Sequence, residues 1–134
     1  HRFGGVEFKL GTREIGHIHG DWLVDIPLTN AFRAQLVVEG RAQDHHIYPG
    51  TGLISFHLKS DRDIDNALWL LRLSYLRNLA QLRKRGLADA STESVDLERE
   101  IDNLNLSQAM RSLLYGLVGD DPSVRASRTG QKIC

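Results

Sequence analysis

Thr12-Arg-Glu-Ile-Gly-His-Ile-His-Gly-Asp-Trp-Leu-Val-Asp-Ile-Pro-Leu28 carries two histidines and two aspartates within the nine positions from His17 to Asp25. If residues 13–19 are extended, side chains alternate faces, so His17 and His19 share one side about 7 Å apart while Gly16 and Ile18 take the other. Gly20-Asp21 can turn the chain, and residues 22–28 can return with Val24, Ile26 and Leu28 on one face and Asp25 on the other. The stretch therefore reads as a hairpin whose polar side chains cluster. In this alternation Glu14 points away from His17 and suits a salt bridge, and Arg13 shares the face of the histidines.

Outward from the hairpin, Val6-Glu-Phe-Lys-Leu10 alternates apolar and charged residues as a half-buried strand does. Thr29-Asn30 can cap a helix over 30–39 in which Phe32, Leu36 and Val37 recur at helical spacing, with Gly40 just past its end. A strand is expected over 43–48, stopped by Pro49-Gly50. Residues 53–59 alternate cleanly, with Ile54, Phe56 and Leu58 on one face and Ser55, His57 and Lys59 on the other. Ser60 or Asp61 can open a long helix over 62–85, with Ile64, Leu68, Leu71, Tyr75, Leu79 and Leu82 as its core stripe. Trp69 reads as core too. Beyond Gly86 a linker-like Ala-Asp-Ala-Ser-Thr-Glu-Ser leads to helical patterns over 95–104 and 106–118.

These elements give an α+β fold: a single, mostly antiparallel sheet of about five strands, helices packed on one face and a C-terminal helical tail. The expected division is a core over 1–86 and a tail over 87–134 with a loose end. Seventeen basic and seventeen acidic residues cancel, so no broad field favours nucleic acid. The lone cysteine, Cys134, rules out an internal disulfide framework and a cysteine-based zinc ribbon. No apolar run reaches the roughly 18 to 20 residues of a membrane span. As given the chain reads as soluble, and its start on His1 rather than Met fits either a processed product or a piece of a longer, membrane-anchored precursor. Its compartment and oligomeric state are not legible. Asn105-Leu-Ser107 fits a glycosylation sequon but falls in a helical pattern, so it is set aside.

Arg13-Glu-Ile-Gly-His-Ile-His19, then a helix, then His45-His46 before a Pro-Gly turn, then the strand from Leu53 and the Asp/Arg-rich start of a long helix, together resemble the luciferase-like domain of the fungal bioluminescence luciferases. The resemblance covers roughly residues 6–80. It implies an oxidoreductase of monooxygenase type that adds dioxygen to an electron-rich hydroxypyrone or enol such as 3-hydroxyhispidin, with light from the product's breakdown. It also implies independence of any cofactor beyond dioxygen. The segment Gly20-Asp-Trp-Leu-Val-Asp-Ile-Pro27 departs from the family pattern, so neither substrate nor light follows from the likeness.

Taken on residues alone, His17 and His19 have three open roles. A neutral imidazole can take the hydroxyl proton of an enolisable substrate, and Arg13 can hold the resulting anion. His17 and His19 with His45 or His46 and Asp21 can instead bind a metal, since two histidines and a carboxylate make a facial triad. Or the pair is hydrogen-bonded and structural. Asp25 suits an orienting role behind an imidazole. If 43–48 is extended, only one of His45 and His46 can join the site, and His46 is favoured. Asp21, Trp22 and Tyr48 are candidate pocket walls, and His57 joins them if its sheet face is the pocket floor. Two readings compete with a cofactor-independent oxygenase on a small-molecule substrate: a non-catalytic binding or interaction domain, and a metal-dependent enzyme on the histidine cluster.

Overall fold

The computed structural model of the chain describes residues 5–45 and 51–118. The elements run β1 (Val6–Leu10), β2 (Arg13–His19), β3 (Leu23–Pro27), α1 (Asn30–Val38), β4 (Gln43–Asp44), β5 (Leu53–His57), α2 (Asp63–Lys84), α3 (Ala90–Glu93), α4 (Leu97–Asn103) and α5 (Gln108–Val118). The five strands form one antiparallel sheet in the order β1-β2-β3-β5-β4, so the α+β expectation holds. Residues 46–48 of the expected fourth strand lie outside the described residues. None of the described helices is long and apolar enough to cross a membrane. Chain contacts divide into two compact units, 1–75 and 76–134.

In the first unit β2 and β3 are joined by a turn in which the Trp22 N–H donates to the His19 carbonyl at 3.3 Å. β1 pairs with β2 one-for-one from Val6 to Phe8, but Phe8 then faces Gly16 and Lys9 faces Glu14. Ile15 is thus an extra residue on β2, a β-bulge. Its carbonyl accepts a 2.6 Å hydrogen bond from the buried Ser74 hydroxyl of α2. Beside it, Gly16 lets the helix come close: a Cβ there would lie 2.9 Å from Leu71 Cδ2, 3.1 Å from Ile26 Cγ1 and 3.2 Å from the Asp25 carbonyl oxygen. Val24, Ile26 and Ile54 on this face are fully buried.

α1 opens as expected, the Phe32 N–H donating to Thr29 Oγ1 at 3.3 Å. α2 opens differently: neither Ser60 nor Asp61 supplies the side-chain cap, and Asp63 Oδ2 instead accepts from the N–H groups of Lys59 (2.7 Å) and Ser60 (3.2 Å). This places a carboxylate where free N–H groups and the helix dipole favour negative charge. The loop before β4 is fastened to α2 through Arg41, which donates to Asn66 Oδ1 at 2.9 Å and stacks 3.8 Å from the centroid of Trp69. Two sequence expectations need correction. The buried stripe of α2 within this unit is Ala67, Leu70 and Leu73, while Ile64 and Leu68 are exposed, so the apolar period runs about one residue off the predicted line. β1 is mostly exposed, with Phe8 and Val6 open to solvent, because it is the edge of the sheet.

In the second unit the described elements are all helices. Leu76, Leu79, Leu97, Ile101, Met110 and Leu114 are fully buried and make its core. Gly86 ends α2 at φ +69°, a left-handed position that glycine adopts without steric cost. The expected linker contains the short helix α3, capped by Asp89, whose carboxylate accepts from the Thr92 N–H at 2.9 Å. Arg83 then secures the following loop by donating to the Thr92 and Val95 carbonyls.

Two stability predictions follow from these contacts. Gly16→Ala forces Leu71 and the sheet apart and should destabilise the protein by about 1 to 3 kcal/mol, as overpacking does. Denaturant unfolding measures this, and adding Leu71→Ala should make the pair less than additive. The Asp89 carboxyl is held below its ordinary value, first by the Ser91 hydroxyl and next by the Thr92 N–H, both of which favour the charged form. Its cap is complete above the ordinary carboxylate range and fades as pH falls through that lowered value, below about pH 4. Asp89→Asn should remove this part of the acid loss of helicity, read by circular dichroism against the parent.

Candidate functional site

Cross-strand pairing turns the hairpin of the sequence into a row that spans the sheet. Glu7 pairs with His17, His17 with Asp25, Asp25 with Ser55, and Ser55 with Gln43, one residue from each strand. Paired residues share a face, so all five point to the same side. Asp25 sits at the centre of this row on the middle strand and is 1% exposed.

A buried carboxylate is stable only when hydrogen bonds and opposite charge replace the water it has lost. Ser55 Oγ donates to Asp25 Oδ1 at 2.6 Å. Three imidazoles gather on the other oxygen: His19 Nε2 at 2.9 Å, His45 Nε2 at 3.3 Å and His17 Nε2 at 3.7 Å. The rings of His17 and His19 meet edge to face with centroids 4.6 Å apart. The far nitrogen of His17, Nδ1, donates to Glu14 Oε1 at 2.6 Å. His17 is thus held between two acids and turned so that Nε2 faces the cluster. His17 and His19 side chains remain 19% and 26% exposed, so solvent reaches both imidazoles while Asp25 behind them is buried.

The Ile15 bulge explains both departures from the expected faces. An extra residue reverses the alternation, so Glu14 lies on the same face as His17 rather than opposite it, three residues away. By the same reversal Arg13, which pairs with Leu10, is directed to the face opposite the histidines; its expected place beside them is corrected. His45, not favoured from sequence, is the histidine of the Asp44-His-His pair seen at the cluster, two residues beyond Gln43 and therefore on the same face. His46 and Tyr48 lie outside the described residues.

Asp21, Trp22 and His57 fall elsewhere. Asp21 and Trp22 line a cleft of about 580 Å³ with Ile18, Val24, Ile64 and Leu68, on the α2 side of the sheet. Since Ile18 and Val24 face away from His17, this cleft and the histidine cluster occupy opposite faces. His57 pairs with Leu23, which pairs with His19, placing it two strands, about 10 Å, from His19. Its ring lies 6.0 Å from that of Trp22. Sequence reasoning named His45 only as the less favoured of two histidines, and it missed Ser55 as a member of the cluster and Glu14 as a partner of His17. The one available signal was Ser55 itself, a small polar residue between the apolar Ile54 and Phe56.

Comparison with known proteins gives a family match: the model of the Luciferase domain matches residues 12–74. The matched stretch contains every residue of the cluster, from Glu14 to Ser55. No curated protein and no solved structure matches the chain.

Removing Ser55 Oγ leaves a buried carboxylate short of a donor, so Ser55→Ala should lower stability by about 1 to 3 kcal/mol. Lys9→Ala, which breaks only the exposed 3.1 Å pair with Glu7, should change it by less than about 1 kcal/mol. Urea midpoints at unchanged slope are the measurement.

Proposed function

We propose, from the match of residues 12–74 to the Luciferase domain, that the protein is a small oxygenase acting on an electron-rich hydroxypyrone or enol such as 3-hydroxyhispidin. The observation that carries this reading is the imidazole pair backed by the buried Asp25 and by Glu14, at 2.9 and 2.6 Å. A carboxylate behind an imidazole fixes its ring and tautomer, which orients the other ring nitrogen to take a proton from a bound substrate.

In the proposed reaction the substrate's enol hydroxyl gives its proton to His17 or His19. The enolate so formed is rich enough in electrons to reduce dioxygen at its carbon: a carbon–oxygen bond forms, the enol carbon–carbon double bond is lost, and dioxygen falls to the peroxide level. The imidazolium returns its proton to the peroxide oxygen, giving a ketone that bears a hydroperoxide. No organic cofactor enters this balance.

Oxygen consumption with a panel of hydroxypyrones and related enols tests the proposal. Uptake at one equivalent per substrate is expected, and no uptake with any of them overturns it. His17→Gln and His19→Gln should each lower turnover by about 10² to 10⁴ while the fold persists. Thermal melts run beside the turnover assay separate a base from a structural histidine. A lowered melt with unchanged turnover per folded molecule would end the assignment.

A further inference from the structure

We infer that the cluster around Asp25 is a binding site for a divalent transition-metal ion, with His17, His19 and Asp25 as ligands and Glu14 orienting His17. The inference rests on the reading of this cluster as the functional centre; as ligands, His17 and His19 would no longer accept the substrate's proton, and the ion would instead hold its deprotonated oxygen. The ligand atoms of His17, His19 and Asp25 all lie within 4.8 Å of one another. Bonded to one ion at about 2.0 to 2.2 Å, such atoms need to stand no farther apart than about twice that length. The groups therefore reach a common centre by small side-chain rotations.

The geometry around Asp25 Oδ2 points the same way. Three imidazole nitrogens approach this one oxygen, His19 at the 2.9 Å of a hydrogen bond and His45 and His17 at 3.3 and 3.7 Å. With its Nδ1 proton given to Glu14, neutral His17 turns a lone pair at Nε2 toward the carboxylate, an arrangement that suits a cation between them. Ser55 meanwhile holds Oδ1 at 2.6 Å, leaving Oδ2 as the ligand oxygen. Glu14 accepts from His17 Nδ1 at 2.6 Å, the outer carboxylate that metal-bound histidines characteristically have, and this directs the Nε2 lone pair inward.

The donor set names the class of ion. Imidazole nitrogens with a single carboxylate suit iron(II), cobalt(II), zinc(II) and their neighbours, whereas magnesium and calcium require oxygen-rich shells. The partial exposure of His17 and His19 leaves a side on which a substrate oxygen can join the ion.

The test uses the full untagged chain, stripped with chelator and titrated with cobalt(II) and zinc(II). One cobalt(II) per chain is expected, with visible absorption bands of bound cobalt, displacement by zinc, and a melting temperature that rises with metal concentration. Magnesium should give none of these. His19→Gln should weaken cobalt binding by at least about 100-fold, and Glu14→Gln, which keeps every ligand, by about 10- to 100-fold. His57→Gln should bind as the parent does. Absence of stoichiometric cobalt, or binding undiminished in both His19→Gln and Glu14→Gln, overturns the inference. Oxygen uptake measured on the same samples keeps the two readings apart. Uptake by stripped protein that takes no cobalt leaves the oxygenase and removes the metal, and one bound cobalt without uptake does the reverse.

Discussion

A negative charge in the middle of a β-sheet must be answered, and in this fold the answer involves four strands. Asp25 is almost completely buried on the central strand. Its partners come from β2 (His17 and His19), from β5 (Ser55) and from the end of β4 (His45). Removing one partner from a buried charged group typically costs several kcal/mol, a large share of the stability of a domain this size. The strands that build the site are therefore also held in register by it.

The second constraint is the bulge at Ile15. A regular β2 would place Glu14 on the helix face, against apolar side chains. With one residue added, Glu14 reaches His17, and the displaced backbone carbonyl is satisfied by Ser74. Gly16, the next residue, removes the side chain that would otherwise hold α2 away. Three neighbouring residues thus serve separate ends: an acid for the imidazole, a carbonyl for the helix and a gap for Leu71. None of the three is explained by hydrophobic alternation.

The limits of sequence reading follow from this division. Strands over 6–10, 13–19 and 53–57, and the helix ending at Gly86, were legible because each is a local period with local stops. The convergence of His17, His19 and Asp25 was half legible, since a hairpin with a Gly-Asp turn puts them on one face. Ser55 was not, because its pairing joins residues thirty positions apart, and no local pattern sets that register. Glu14 and Arg13 were misplaced by a phase slip that exists only once β1 is laid beside β2. The stripe of α2 was drawn through Ile64 and Leu68 because they are apolar. Both instead border an open cleft, and hydrophobicity alone does not distinguish a core wall from a cleft wall.

The bulge also shows which partner the extra residue serves. Deleting Ile15 would restore an uninterrupted ladder between β1 and β2 and leave Glu14 two residues before His17, still on its face. What the shorter strand would lose is the displaced carbonyl that answers the buried Ser74 hydroxyl of α2. A procedure that rewards regularity would therefore keep the acid beside the imidazole and give up an anchor between sheet and helix.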